Sequence, residues 1–456
     1  MNDQLLRAAG AAATVLVYSS LCAAVFLRER RRSWRDSQRA ASLAGSGREP
    51  PTLVLFGSQT GQAESIAWQT AEWLKARGEA ARVSSLNQIT RPDLQSARRA
   101  LFIVSTYGEG DAPDGASVFT EQVMASVASA QMLPDLRYSL LALGDRQYTN
   151  FCGFGRQLDD WLSSAGAQRE NVRVEADNLD SAAMQAWRLQ IGGSDASGQP
   201  TTLSEALPWR LVSREQANAG GQGAPLFQLA FAPASSSPHH WEAGDLVQLE
   251  VPADPTRPRD YSVASIPEDG ELHLLVRQER HPDGSLGAAS GLLTEALPIG
   301  GTVQLRLRPH VNFQLGDNAQ RPLILIGNGS GLAGLRALLR RRAREGQRDN
   351  WLMFGERNEA WDRPYRAELQ QWLADGVLAR LDLVFSRDQA ERHYVQHRLL
   401  QASDDVLRWM DRGAAIYVCG SLQGMGTGVD AALRQIAGDA RIQELVVQGR
   451  YRRDVY

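Results

Sequence analysis

Apolar and polar positions alternate in three different regimes along the chain. From Pro51 to about Ala176, short apolar runs are interleaved with stretches of helical period. Thr52–Phe56, Ala81–Ser84, Ala100–Ser105, Tyr138–Leu143 and Asn171–Glu175 predict strands, and Ala63–Arg77, Ser117–Ala130 and Phe154–Ser164 predict helices. Such alternation predicts a parallel sheet with helices on both faces, which holds ligands at the C-terminal ends of its strands. Between about Trp209 and Pro309 the apolar runs are shorter. Turns at Gly220-Gly221, Glu242-Ala243-Gly244-Asp245 and Glu268-Asp269-Gly270 separate them, which predicts a small antiparallel barrel. From Pro322 the strand–helix alternation returns, with strands expected at Leu323–Ile326, Trp351–Phe354, Leu381–Phe385 and Ala415–Val418. No repeat at a solenoid period is visible.

The flanking segments divide these regimes. Ala8–Leu27 is nearly free of charge and about 20 residues long, the length of a membrane-spanning helix. Arg28-Glu29-Arg30-Arg31-Arg32 and Arg35 follow it, so a single span in the inner or cell membrane is expected, with the remainder facing the cytoplasm. The expected organisation is an anchor with its basic flank over 1–35, a polar tether over 36–50, and globular units over 51–190, 205–320 and 321–456. A Gly-, Ser- and Thr-rich hinge over 191–204 lies between the first two units. A net charge of −3 gives no reason to expect nucleic-acid binding. Cys22, Cys152 and Cys419 form neither a disulfide pattern nor a metal-ligand spacing, so no metal is expected and a reducing compartment fits.

The candidate chemistry lies where strands end. Ser58-Gln59-Thr60-Gly61-Gln62-Ala63 joins the first strand to a helix, and its hydroxyls and N–H groups suit a phosphate at a helix N-terminus. The lysine of a triphosphate loop is missing, which argues against nucleotide hydrolysis. Thr106-Tyr107-Gly108-Glu109-Gly110-Asp111 and Leu143-Gly144-Asp145-Arg146-Gln147-Tyr148 leave the same sheet edge. Tyr107 and Tyr148, with Phe151 nearby, would stack on a planar ring. Further on come Arg259-Asp260-Tyr261-Ser262 and a second glycine-rich loop, Gly327-Asn328-Gly329-Ser330-Gly331. This order suggests an electron relay from a pyridine nucleotide through two flavins.

These motifs resemble the diflavin reductases, the family that includes the sulfite reductase flavoprotein subunit and NADPH–hemoprotein reductase. Residues 51–180 look like its flavodoxin-like domain and 205–456 like its ferredoxin–NADP reductase-type half. Further family motifs are Ser386-Arg387-Asp388-Gln389, Val395-Gln396, Ile416-Tyr417-Val418-Cys419-Gly420 and Arg450-Tyr451-Arg452-Arg453-Asp454-Val455-Tyr456. With the N-terminal apolar segment read as a transmembrane helix, the resemblance implies an α/β multidomain chain: a flavodoxin-like doubly wound sheet for FMN, an antiparallel β-barrel for FAD and a Rossmann-like NADPH-binding domain. It implies that Arg259 binds the FAD pyrophosphate, which Gly287-Ala288-Ala289-Ser290 covers, that Tyr261 packs on the isoalloxazine, and that Ser262 lies near its N5. Gly329 and Ser330 would hold the nicotinamide nucleotide's phosphates, while Ser386, Arg387, Arg392 and Tyr394 would select the 2′-phosphate. Cys419 and Asp454, with Ser262, would orient the nicotinamide, and Tyr456 would cover the flavin until nicotinamide displaces it.

Two departures modify this picture. The family usually continues its second loop with Ala-Pro, whereas this chain has Ala333-Gly334, which implies a looser pocket floor. Only thirteen residues, Leu246–Pro258, separate Asp245 from Arg259, so the family's helical connecting domain is absent. The expected activity is a membrane-anchored NADPH:acceptor diflavin oxidoreductase that passes electrons to a haemoprotein or another redox partner. An inner-membrane ferric or ferric-siderophore reductase is the alternative acceptor. The tether and the missing connecting domain argue against sulfite reduction. A redox-regulated membrane interaction protein with little turnover and a simple ferredoxin–NADP reductase are the remaining alternatives. Glu109, Asp111, Asp114, Glu175, Asp177 and Asp180 could form an acidic docking face.

Overall fold

The structure is a computed structural model that describes residues 50–456 except 60, 109, 126–130, 145, 147–149, 178–180, 193–205, 236–238 and 252–253. The expected anchor, most of the tether and hinge, and the candidate site residues Thr60 and Tyr148 lie outside the described residues. Among the described residues, no helix is long and apolar enough to cross a membrane. The membrane location is therefore corrected: nothing in the described fold ties the chain to a bilayer.

The first unit is a parallel sheet. Strands β1 (Thr52–Gly57), β2 (Ala81–Ser85), β3 (Arg99–Ser105), β4 (Arg137–Gly144) and β5 (Gln168–Arg169) lie in the order β2-β1-β3-β4-β5, and β6 (Val174–Asp177) also pairs with β4. Chain order reverses between β1 and β3, so the loops after these strands diverge and leave a crevice at their C-terminal ends. Apolar side chains fill both faces, with Phe102, Tyr138 and Phe154 on one side and Val54, Ile103 and Trp187 on the other.

Three local differences from the sequence reading have physical causes. A helix at Arg91–Ser96 was not expected. Thr90-Arg91-Pro92-Asp93 is its start signal: the Thr90 N–H donates to Asp93 at 2.9 Å and Pro92 fits the first turn. Over its described part, the helix expected at Ser117–Ala130 is one α-turn, Ser117–Phe119, running into a π-turn, Thr120–Met124; residues 126–130 lie outside the described residues. Asn171–Glu175 was expected as a strand. It is displaced to Val174–Asp177, because Gln168–Arg169 pairs first at the N-terminal end of β4.

The second unit is antiparallel: β7 (Leu207–Gln216), β8 (Leu226–Pro233), β9 (Leu246–Val251), β10 (Asp254–Ser262), β11 (Leu272–Arg277) and β12 (Thr302–Arg308), ordered β10-β9-β12-β7-β8-β11. The edges meet through the Val263–Leu274 bridge and the Ala264 N–H on the His273 carbonyl at 2.8 Å, so the sheet closes on itself. Strands β9 and β10 pair from Val251–Asp254 to Leu246–Ser262. Strands β9 and β10 are thus successive and antiparallel.

The third unit is parallel again: β13 (Leu323–Asn328), β14 (Asn350–Glu356), β15 (Arg380–Phe385), β16 (Ala415–Gly420) and β17 (Tyr451–Val455), ordered β15-β14-β13-β16-β17. The C-terminal motif is therefore an edge strand, paired with β16 so that Asp454 stands beside Cys419.

Candidate functional site

One cavity of about 1500 Å³ runs across all three units. That exceeds the ~300–1,000 Å³ of a single small-ligand pocket. Its walls come from the strand ends of the first sheet, from β10 and the Gly287–Ser290 turn of the barrel, and from the β13, β15 and β17 ends of the third sheet.

At the first-sheet end, Gly61 takes φ +90 and its N–H donates to Ser58 Oγ at 2.8 Å, closing the Ser58–Gly61 loop onto the helix Gln62–Ala76. Gln59 and Gln62 line the cavity. Ser58 borders a smaller neighbouring cleft, and Ala63 is fully buried behind the loop. Thr106, Tyr107, Gly108, Leu143, Gly144 and Phe151 all line the cavity, whereas Gly110 takes φ +117 in the turn behind it. Among the described residues, Thr106 Oγ1 is buried without a partner, a polar atom available to a ligand group. This orphan and the loop at the helix N-terminus fit FMN.

The side chains of this end are also committed elsewhere. The Gln59 amide donates to the Arg453 carbonyl at 3.0 Å and to Asp114 at 3.2 Å, and accepts from the Asp114 N–H at 2.9 Å. Tyr107 donates its hydroxyl to the Val455 carbonyl at 2.8 Å and packs into the apolar cluster of Val455 and Met425, with Leu422 at its edge. Burial pushes the Tyr107 phenol far above its ordinary range. Of the residues considered for an acidic docking face, Asp114 pairs with Arg453, and Glu175 with Arg156 and Arg173, while Glu109 and Asp180 lie outside the described residues.

In the barrel, Arg259, Tyr261 and Ser262 succeed one another on β10 and line the cavity, facing Gly287, Ala288, Ala289 and Ser290. The Ser290 hydroxyl accepts the Glu279 N–H at 3.0 Å and fixes the turn. The arginine and the glycine-led helix start suit a pyrophosphate, so these residues fit FAD.

Two strands of the third sheet meet β10 here. Ser262 Oγ of β10 donates to Asp454 Oδ2 of β17 at 2.7 Å, and Cys419 Sγ of β16 lies 3.5 Å from the same oxygen. Ser262 and Asp454 are nearly buried and Cys419 fully so. Burial first, and Asp454 second, push the Cys419 thiol well above its ordinary value, so it is held protonated. The constellation is a hydroxyl, a carboxylate and a thiol, arranged to orient a ring and to balance charge beside it.

The second glycine-rich loop begins the helix Leu332–Arg344. A Cβ on Gly331 would overlap the Cys419 carbonyl oxygen, so only glycine lets the helix approach β16 this closely. Gly329 takes φ +57. The expected loose floor at Gly334 is corrected: a Cβ there would meet the Phe313 ring at 3.1 Å and Cys419 Sγ at 3.4 Å, so the space is filled from below. Ser386, Arg387 and Tyr394 line the far end, together with Arg357 and His393, whereas Arg392 is exposed outside the lining. These cationic and hydroxyl groups fit a phosphorylated ribose.

Several residues of the site carry no local signal in the sequence. Arg277 pairs with Glu356 at 3.0 Å beside Gly329. Burial pushes the Glu356 carboxyl up, and Arg277 pulls it back down. The Asn312 amide donates to the Ser58 and Gln59 carbonyls at 3.2 and 2.8 Å, from a loop more than 250 residues away.

The chain matches the family model described as Flavodoxin over residues 54–191 and that of the oxidoreductase NAD-binding domain over 325–431. It is similar to the sulfite reductase [NADPH] flavoprotein alpha-component of Bacillus subtilis (strain 168), 27% identical over 539 residues, covering 88% of this chain and 89% of the relative. The protein of the same name from Vibrio cholerae (El Tor Inaba N16961) is 28% identical over 550 residues, 91% of this chain and 89% of the relative. That from Shewanella sp. (strain MR-7) is 29% identical over 541 residues, 88% and 89% respectively. Each alignment is longer than the 456 residues of this chain, so the relatives contain segments without a counterpart here. The two family models and these relatives together support the diflavin reductase family.

Proposed function

We propose that this chain, an NADPH-dependent diflavin oxidoreductase with FMN, FAD and NADPH as its cofactors, delivers electrons to a partner haemoprotein. The observation that carries this reading is the Ser262–Asp454–Cys419 constellation, which opens onto the same cavity as Thr106, Tyr107 and Phe151. When bound, FAD accepts hydride from NADPH and FMN relays the electrons one at a time.

The chain's own residues hold and orient. The Ser58–Gly61 loop and Thr106 bind the FMN phosphate side, and Tyr107 and Phe151 frame its ring. Arg259 and Gly287–Ser290 hold the FAD pyrophosphate, while Tyr261 supports its ring. Gly329 and Ser330 cradle NADPH, and Ser386, Arg387 and Tyr394 select its 2′-phosphate. Ser262 and Asp454 fix the reacting ring, with the protonated Cys419 alongside. The hairpin between β9 and β10 takes the place of the connecting domain, which accounts for at least part of the surplus length of the relatives.

The relatives' name supports an acceptor of the sulfite-reducing haemoprotein kind. The sequence argument against it rested partly on the tether, which is not carried forward. The test begins with the purified protein, which should be yellow, contain FMN and FAD in a ratio near one, and bleach anaerobically with NADPH and far less with NADH. Sulfite-dependent NADPH oxidation should appear only when a sulfite reductase haemoprotein component is added. FAD without FMN, or no bleaching, overturns the diflavin reading; normal bleaching with no transfer to any haemoprotein overturns the acceptor.

A further inference from the structure

The flavodoxin-like half rests on the strand that carries the hydride-site carboxylate. Arg453, one residue before Asp454, directs its guanidinium at Asp114, with Nε 3.0 and 3.2 Å from the two carboxylate oxygens. Its carbonyl accepts from Gln59 at 3.0 Å, and the next carbonyl but one, that of Val455, accepts from Tyr107 at 2.8 Å. Both donors belong to the loops read as the FMN seat. Both side chains of the ion pair are mostly buried, and the guanidinium lies 5.9 Å from the Tyr107 ring. An outer contact, Glu121 with Arg434 and Gln443, continues the seam.

β17 is an edge strand, held on one side only by β16. This seam is a further anchor, beside the bonds of Arg452 to the Val311 and Gln314 carbonyls and of Tyr451 to Asp430. Asp454 therefore sits between two residues whose positions are set by the flavodoxin-like half. We propose that Asp114 and Arg453 are positioning residues through which docking of the flavodoxin-like half aligns Asp454 and Ser262, so that hydride transfer to FAD depends on that docking. The hydride site and the FMN seat then act as one mechanical unit, although Asp114 touches neither FAD nor NADPH. This inference rests on the site reading given above.

Removing the charge of Asp114 leaves the buried guanidinium with only the more distant Asp430 carboxylate, 3.9 Å away, which weakens docking. A small misplacement of a reacting group is enough to slow a step by one to two powers of ten. The experiment is anaerobic rapid mixing of the full-length holoprotein with NADPH, following FAD reduction, for native protein and D114N. The expected result is FAD reduction slowed about tenfold in D114N, with a larger isotope effect from C4-deuterated NADPH. Added salt should slow the native protein but scarcely affect the variant. Small-angle scattering should show D114N more expanded than native at low salt. Should D114N fail to fold or lose FMN, E121Q tests the same seam away from both flavin seats, with a smaller slowing expected. Unchanged FAD reduction in a variant that retains both flavins overturns the coupling. A native protein lacking FMN, or not bleached by NADPH, instead overturns the underlying site reading, so the two failures are distinguishable.

Discussion

The hydroxyl of Tyr456 donates to Ser330 Oγ at 3.0 Å, linking the last residue to the nucleotide loop. The Tyr456 N–H also donates to the Gly420 carbonyl at 3.0 Å, so the backbone is anchored while the half-exposed ring lies over the cavity. The bond ties the Tyr456 ring down over the loop, so a nucleotide that displaces the ring has to break it. Y456F should tighten NADP⁺ binding about fivefold, as expected for removing one neutral hydrogen bond of ~1 kcal/mol. Y456A should tighten it further, because the ring is gone as well. Equilibrium titration of the oxidised protein checks both; equal affinities in all three would show that the tyrosine does not compete.

The 2.7 Å bond from Ser262 to Asp454 joins two nearly buried groups. S262A leaves the carboxylate without its hydroxyl donor, and FAD reduction by NADPH should slow by about a hundredfold. NADP⁺ affinity should change little, since the far end of the nucleotide is held by other residues. Rapid-mixing rates together with a binding titration separate the two effects.

His310 is fully buried and stacks on Phe313 at 5.7 Å. Burial holds its pKa below the ordinary 6.5, against the opposing pull of Asp454, Asp245 and the Gln59 backbone and with a smaller push from Arg308. The folded protein thus binds fewer protons here than the unfolded chain. Stability from this group is complete above pH ~6.5 and is lost as pH falls from there toward the folded pKa. Thermal midpoints should therefore drop between pH 7 and 5, and less steeply in H310N. Equal slopes in the two proteins would remove His310 as the source.

G331A should be the most damaging single change in the nucleotide loop. Its Cβ would collide with the backbone carbonyl of Cys419, which cannot swing away as a side chain could. We expect a loss of ~2–4 kcal/mol of stability, typical of forced overpacking in a rigid site, together with weakened NADPH binding. Denaturant unfolding measures the first and titration the second. G426A, whose Cβ would have 3.4 Å of clearance, is the control.

Local chemistry explains what the sequence disclosed. Apolar runs marked β1, β3, β4, β13, β14 and β16, because a strand buried on both faces has to be apolar throughout. Ser262, Cys419 and Asp454 were legible from motifs on three strands, and the fold brings them together. Contacts between distant segments were not legible. Arg453 stood inside a motif without a role, since its partner Asp114 is 339 residues away. Asn312 belongs to no pattern at all. Arg91–Ser96 was missed although its capping residues were present, because six residues give too little periodicity. The membrane reading came from residues outside the described fold, where hydropathy was the sole guide.

The hairpin joining β9 to β10 makes the barrel a modular host. The chain leaves at Val251 and returns at Asp254, two residues that pair across the strands. A guest domain with adjacent termini could be grafted at this junction without shifting the register that sets Arg259 opposite Leu249 and Ser262 opposite Leu246. An insertion of this kind could be gained or lost at one turn, and the pairing of β9 with β10 would not register the difference.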